Sequence, residues 1–383
     1  MFDLIIIGGG INGAGIARDA AGRGIKLCLI EKNKVGSATS SWSTKLIHGG
    51  LRYLENYEFR LVRESLKERE IIKTIAPNIT KEIPFLIPHT TNLRPMWLIK
   101  LGLLIYDNIG GRTTIPRSST INFKKDFNSI LKAEYTKGFK YYDLQVDDKK
   151  LTELNAYDAK KNNAVIMENT EVINTQRNKD YWDVYLNNNQ KIKSKLLINA
   201  TGPWINNVQQ NIFKINSQKK LRLVKGSHII TKKIHPYDYA LTLQNDDKRI
   251  VFVIPYKNES SLIGTTEVEV ESPEENNIDN YEINYLINSV NKYLNKPLSS
   301  QDIISTYSGI RPLIEDFNSN ASKVTRDYVF DLNIDNNFAP LLSIYGGKLT
   351  TYRKLAENVL LELNKFLFSI AKRPSGPIPV ERI

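Results

Sequence analysis

The sequence predicts a mixed α/β chain in which a parallel-sheet domain is interleaved with an α+β domain built on an antiparallel sheet. Three observations carry this. The chain opens on a βαβ pattern: the apolar run Leu4-Ile5-Ile6-Ile7, glycines at 8, 9, 10 and 13, helical spacing through Arg23, and a second apolar run over residues 26–30. A later apolar run, residues 196–199, ends in the small residues Ala200-Thr201-Gly202, as a strand buried on both faces would. From residue 221 to 270 the chain turns β-rich, and residues 249–255 and 261–268 suit antiparallel pairing. At 383 residues, 41% apolar and 25% charged, the chain has room for two domains and an ordinary globular composition.

Taken in order, residues 4–7 form a strand covered on both faces, Gly24 stops the first helix, and residues 26–30 form the second strand. Residues 37–43, rich in small hydroxyl side chains, read as a loop. Apolar residues at helical spacing among Arg and Glu predict one helix over 51–75. Pro84 and Pro88 break up a strand-like run, and residues 97–109 form a helix closed by Gly110-Gly111. Residues 141–148 are extended and 149–162 helical, followed by strands near 164–173, 182–186 and 196–201. A helix over 280–294, an extended segment over 303–310 and a long final helix over 348–371 complete the reading. The order assigns the parallel-sheet domain to residues 1–77, 142–205 and 325–383, and the antiparallel domain to 78–141 and 206–324.

Composition narrows the chemistry. The single cysteine, Cys28, lies in an apolar run, so disulfides and cysteine-held clusters are excluded. The four histidines (His48, His89, His228, His235) have no metal-ligand spacing, so no metal site is expected. The net charge of +12 is diffuse, without a basic tract or nucleic-acid motif. It reflects either composition alone or attraction to an anionic membrane surface. No cationic leader precedes the first strand, and the apolar stretch 96–106 is far short of the ~20 residues that span a bilayer. A cytoplasmic protein is expected.

Gly8-x-Gly10-x-x-Gly13 between a strand and a helix is the dinucleotide fingerprint of a Rossmann-like unit. The first glycine permits the turn, the second lets the backbone approach a pyrophosphate, and the third allows helix and strand to pack closely. Glu31, ending the second strand, is placed to accept from adenosine ribose hydroxyls. NAD and FAD both use this unit. The strand ending in Ala200-Thr201-Gly202 and a third glycine turn, Gly346-Gly347-Lys348-Leu349-Thr350-Thr351, favour FAD. At that turn free N–H groups and Lys348 would stabilise charge on a reduced flavin ring.

With these blocks go Lys45-Leu46-Ile47-His48-Gly49-Gly50-Leu51-Arg52-Tyr53-Leu54, Asp147-Asp148, Lys225-Gly226-Ser227-His228, Ile263-Gly264-Thr265-Thr266 and Tyr307-Ser308-Gly309-Ile310-Arg311-Pro312. The set resembles the FAD-dependent, quinone-linked glycerol-3-phosphate dehydrogenases of the D-amino-acid-oxidase-like flavoprotein superfamily, from Met1 to about residue 363. The resemblance implies a glutathione-reductase-type FAD domain interleaved with a substrate domain. It also implies oxidation of sn-glycerol 3-phosphate to dihydroxyacetone phosphate, with electrons passed to membrane quinone. An oxidase using oxygen, or an FAD-dependent dehydrogenase of another hydroxy acid, is the nearest alternative. A flavin-binding membrane-docking protein without catalysis is a remoter one. Family members continue into a helical C-terminal domain that the sequence, ending at Ile383, does not carry, so the family's oligomeric contacts, including a homodimer, are left open.

By the same resemblance FAD is held by Gly8, Gly10, Asn12, Gly13 and Glu31, and by Ser40, Ser41, Lys45, His48 and Gly49. Val172, Ala200, Gly202 and Trp204 follow, then Gly347, Lys348, Leu349 and Thr350. The substrate is expected to meet Arg52, Tyr53, His228, Arg311, Arg326 and Lys348, with His228, Arg311 and Lys348 catalytic. Arginine and lysine suit a phosphate. A neutral imidazole suits the alcohol proton, so His228 is the expected base; the alternative is a phosphate ligand with no role in proton transfer. Docking to the cytoplasmic face of the inner membrane would use the Trp97 helix and the last helix, although apolar faces of this kind more often pack into a core.

Overall fold

The computed structural model describes residues 1–90, 93–123, 130–216, 219–257, 259–314, 327–335 and 337–367. In chain order the strands are β1 (Phe2–Ile7), β2 (Leu27–Ile30), β3 (Leu46–Ile47), β4 (Thr80–His89), β5 (Ser119–Asn122), β6 (Lys137–Val146), β7 (Val165–Met167), β8 (Val172–Arg177), β9 (Trp182–Leu186), β10 (Lys191–Asn199), β11 (Leu221–Lys232), β12 (Ala240–Gln244), β13 (Ile250–Tyr256), β14 (Ser260–Gly264), β15 (Val268–Val270), β16 (Ile303–Ile314), β17 (Tyr328–Asp335) and β18 (Phe338–Gly346). The helices are α1 (Ile11–Gly22), α2 (Phe59–Ile75), α3 (Met96–Ile109), α4 (Asp148–Lys161), α5 (Ile205–Asn211), α6 (Asn280–Asn291) and α7 (Tyr352–Leu363).

The first sheet runs β17-β18-β10-β1-β2-β7, with the β8–β9 hairpin attached to β10. β1 is parallel to β10, pairing Leu4 with Leu196, and to β2, pairing Leu4 with Leu27. Alternation along β1 explains its unbroken apolarity. Leu4 and Ile6 pack with α1 and α7, against Ala14, Ala17, Leu355 and Val359. Ile5 and Ile7 pack the other way, with Cys28, Trp182 and Leu341. Removing both faces from water is worth about 25 cal/mol per Å² of apolar surface, which four large aliphatic residues in succession maximise. α1 and α7 come so close that a Cβ on Gly15 would lie 2.6 Å from the Tyr352 ring.

The second sheet runs β15-β11-β14-β13-β12-β4-β6-β3, with β16 on β11 and β5 on β6. The antiparallel β11–β16 pair sets Gly226 opposite Gly309, and His228 opposite Tyr307. Among the described residues no helix is long and apolar enough to cross a membrane, and no three acidic, histidine or cysteine side chains form a metal cluster.

Several sequence expectations need correction. The single helix over 51–75 is two pieces, a 3-10 turn (Leu51–Asn56) and α2, divided at Tyr57, whose φ is 59°. β4 runs unbroken through Pro84 and Pro88, because its pairing with β12 is confined to Phe85 and Leu86 and a strand edge tolerates a missing N–H. The strand expected over 164–173 splits at Asn169, at φ 51°. β17 and β18 have no counterpart in the sequence reading. The last helix starts at Tyr352 rather than 348, since Gly346 and Gly347 sit at φ 76° and 100°, outside helical space. Its expected end at 371 lies outside the described residues.

Candidate active site

A cavity of about 650 Å³ opens at the carboxyl ends of four parallel strands, where an open α/β sheet places its ligand. Gly8, Gly10 and Asn12 follow β1, Glu31 follows β2, Ala200 and Gly202 follow β10, and Gly347–Thr350 follow β18. The second sheet contributes Gly226, Gly309 and Arg311 to the opposite wall.

The glycine turn fits a dinucleotide. Gly8 has φ 110°, and a Cβ there would lie 2.5 Å from the Ala200 carbonyl oxygen. A Cβ on Gly13 would lie 1.9 Å from the Gly8 oxygen, so Gly13 serves packing and is not part of the cavity wall. Gly10 differs: its Cβ would meet only Ser40 Oγ, at 3.2 Å, and otherwise faces open space. A cradle left open at its centre is what a pyrophosphate requires. The first bond of the α1 ladder runs from the Ala14 N–H to the Gly10 oxygen. The N–H groups before it face the ligand end, and Ile11 donates to Ser40 Oγ (2.9 Å). Glu31 accepts from Gly9 N (2.6 Å) and Asn33 N (2.9 Å), which fixes its carboxylate while leaving it on the cavity wall. Asn12 Oδ1 is buried without a hydrogen-bond partner, an acceptor to spare at the helix start. Val172 and Trp204 line the same region, Trp204 Nε1 donating to Glu274 (2.8 Å).

At the other end Lys348 Nζ lies 3.9 Å from the centre of the Tyr53 ring, and both side chains line the cavity. The His48 N–H donates to Thr350 Oγ1 (3.3 Å), tying the His48 segment to the turn before α7; Leu349 is on the wall beside it. Arg311 Nη2 donates to Thr265 Oγ1 (3.2 Å), and Nη1 is 3.8 Å from the Glu267 carboxylate. The guanidinium lies over Gly226, where a Cβ would come within 2.6 Å of Nη2.

Besides Gly13, five expected residues do not line this cavity. Ser41 donates to the Gly36 oxygen and is buried behind the wall. Lys45 donates to Asp148 (2.7 Å) and to the Ser41 oxygen (3.0 Å), so it locks the hydroxyl-rich loop to α4. Gly49 N donates to Tyr106 OH (2.8 Å), within a buried network whose other members are Asp143 and Arg69. Arg52 lies on the turn beside Tyr53 but not on the wall. His228 is fully buried one side chain back from the cavity, behind Thr44, with Nε2 3.1 Å from Thr44 Oγ1. Burial first, then Arg311 and Lys45, holds its pKa well below the usual histidine value. So placed, the ring stands behind Thr44 and off the cavity wall. Arg326 lies outside the described residues; its neighbour Asp327 is on the wall and pairs with Arg60. Sequence reading missed Trp42 and Thr44, which line the cavity from a segment taken only as a loop.

A second buried histidine yields a stability test. Burial pushes His235, stacked 4.3 Å from Tyr239, down to about 4. A folded value below the unfolded ~6.5 means the neutral ring stabilises the fold above pH ~6.5, and this is lost as pH falls towards 4. His235→Gln is therefore expected to flatten the drop in urea midpoint between about pH 7 and pH 5. An equal drop in both proteins would remove His235 from the acid transition.

Residues 3–353 match the family described as FAD dependent oxidoreductase. The chain is 46% identical over 370 residues to the aerobic glycerol-3-phosphate dehydrogenase of Escherichia coli, covering 95% of this chain and 74% of that protein. It is also 46% identical over 362 residues to the D-erythritol 1-phosphate dehydrogenase of Brucella abortus, covering 93% and 72%. Among solved structures, the Bacillus halodurans glycerol-3-phosphate dehydrogenase complexed with FAD superposes with a TM-score of 0.76 at 26% identity, over 100% of this chain and 67% of that one. Fold, cradle and match agree, and the chain belongs to the family of FAD-dependent oxidoreductases.

Proposed function

We propose that this enzyme oxidises the secondary alcohol of sn-glycerol 3-phosphate, giving dihydroxyacetone phosphate. The observation that carries this reading is the convergence of Arg311, Lys348 and Tyr53 on the cavity that holds the dinucleotide cradle. Bound FAD supplies a two-electron acceptor. The protein supplies two fixed cations for the phosphate: a guanidinium held by Thr265 and Glu267, and an ammonium held on the Tyr53 face. Arg52, beside Tyr53 but off the wall as it stands, and Arg326, outside the described residues, are carried only by the family resemblance. The substrate's backbone is then oriented rather than tumbling, which lowers the entropic part of the barrier. The relatives are named for two phosphorylated polyols at equal identity, so D-erythritol 1-phosphate is the second reading. The test is anaerobic bleaching of the FAD-loaded protein. Fast bleaching by glycerol 3-phosphate supports the proposal; bleaching by erythritol 1-phosphate alone selects the second reading, and bleaching by neither rejects both.

Membrane quinone is the proposed acceptor, reached by peripheral docking to an anionic surface. α3 presents Trp97, Leu98, Leu101 and Leu104 to solvent, and Lys100 lies among them. Each basic residue near such a surface contributes about 1 kcal/mol. Binding to anionic vesicles is expected to weaken with salt and to fall when Trp97 and Leu101 are both changed to Glu. Turnover with a ubiquinone analogue is expected to exceed that with oxygen. Near-stoichiometric hydrogen peroxide with little quinone reduction would make the enzyme an oxidase.

A further inference from the structure

We propose that the Thr44 hydroxyl is a hydrogen-bond donor aimed at the redox ring of the bound flavin, and that His228 is the positioning residue that fixes its direction. The inference rests on FAD binding and not on the identity of the substrate.

The location comes from the segment that carries Thr44. At residue 40 this segment meets the pyrophosphate cradle, where Ser40 Oγ accepts from Ile11 N and faces Gly10. At residue 48 it meets the turn before α7, where His48 N donates to Thr350 Oγ1. It therefore runs beside the ligand from the phosphate end towards the ring end, and Thr44 lines the cavity past the cradle, where His228 stands behind it on β11, the strand that also carries Gly226 and pairs with the one bearing Arg311.

The direction comes from His228. Its ring is held in plane, stacked on Tyr307 at 4.7 Å and 20°. On its other side it fills the space above Gly264, where a Cβ would lie 2.1 Å from the imidazole carbon Cδ2. Nε2 meets Thr44 Oγ1 at 3.1 Å, while Nδ1 is buried without a partner. A neutral imidazole carries one N–H. Placing it on Nδ1 would bury an orphan donor, and buried orphan donors are rarer than under-satisfied acceptors. The proton therefore sits on Nε2 and is donated to Thr44 Oγ1. That engages the hydroxyl as an acceptor and leaves its own proton for the cavity. The buried ring stays neutral across working pH, so the arrangement does not reverse. No proton is transferred: the pair is a fixed dipole that strengthens as electron density builds on the ring.

The experiment measures the two-electron reduction potential of the FAD-loaded protein without substrate. One neutral hydrogen bond is worth about three- to tenfold in an equilibrium constant, so Thr44→Val is expected to lower the potential by about 15–30 mV. Thr44→Ala, smaller than the native side chain, serves as the second variant should valine crowd the ring. Thr44→Ser is expected to restore the native value. His228→Phe is expected to shift the potential in the same direction, and the double variant with Thr44→Val no further than Thr44→Val alone. An unchanged potential in Thr44→Val and Thr44→Ala would overturn the proposal, as would a shift that serine does not restore. Additive shifts would show His228 acting on the flavin independently, and would overturn its positioning role. A native potential with weakened binding of dihydroxyacetone phosphate would move the donor to the substrate and equally reject the assignment.

Discussion

Arg311→Ala is expected to lower kcat/KM for sn-glycerol 3-phosphate by roughly 30- to 4,000-fold, the equivalent of ~2–5 kcal/mol for one partner of a desolvated charge pair. In the free protein the side chain is 23% exposed and 3.8 Å from Glu267, so its cost to stability is small; the loss arises when phosphate fills the cavity. FAD content is expected to stay normal, since Arg311 belongs to the wall built by β16, away from the glycine cradle. Arg311→Lys is expected to recover part of the loss, because charge remains while the planar fork does not. Steady-state kinetics at low substrate give the answer. Turnover unchanged there would mean that the guanidinium points away from the phosphate.

Gly10→Val is expected to give folded, colourless protein. The φ of Gly10 is −72°, which any residue can adopt, so the glycine is required for space and not for backbone freedom. A Cβ meets only Ser40 Oγ at 3.2 Å, but the two methyl groups beyond it project into the volume a pyrophosphate needs. The apoprotein should therefore melt close to the native apoprotein. Gly13→Ala contrasts with it, since its Cβ would fall 1.9 Å from the Gly8 oxygen and the strand–helix junction itself must shift. Retention of stoichiometric FAD by Gly10→Val, read from the ratio of flavin to protein absorbance, would remove the cradle from the argument.

What could be read from the sequence followed the strength of local constraint. The β1–α1–β2 unit was legible because its apolar run, glycine spacing and helix stop all require one geometry. Glu31 was legible for the same reason, as the residue that follows β2. Where tertiary pairing overrode local preference, the reading failed. The β4 prolines looked like breaks because the sequence does not say that one side of that strand is mostly unpaired. Tyr57 interrupts a helical pattern by a single left-handed residue, which periodicity averages away. For residues 37–43 composition announced only a loop, and the resemblance assigned Ser40, Ser41, Lys45, His48 and Gly49 to the cofactor without separating side chains that face the cavity from those that brace the loop. Ser40, Thr44 and His48 face the cavity, while Ser41, Lys45 and Gly49 brace the loop from behind. His228 shares a strand face with Gly226, as alternation requires, yet depth behind another side chain has no periodic signal.

The order of strands in the first sheet also bears on how the enzyme is made. β1 waits for β10, and β10 waits for β18, which alone brings Gly346 and Gly347 to the cavity. A ribosome-bound chain that has extruded its first 200 residues already holds the glycine cradle, but the edge of β10 that β18 will cover stays open. Pairings so distant in sequence form slowly, and an open edge invites association with other chains. Completion of the flavin site thus waits until β18 has been made and paired, long after the glycine cradle has formed.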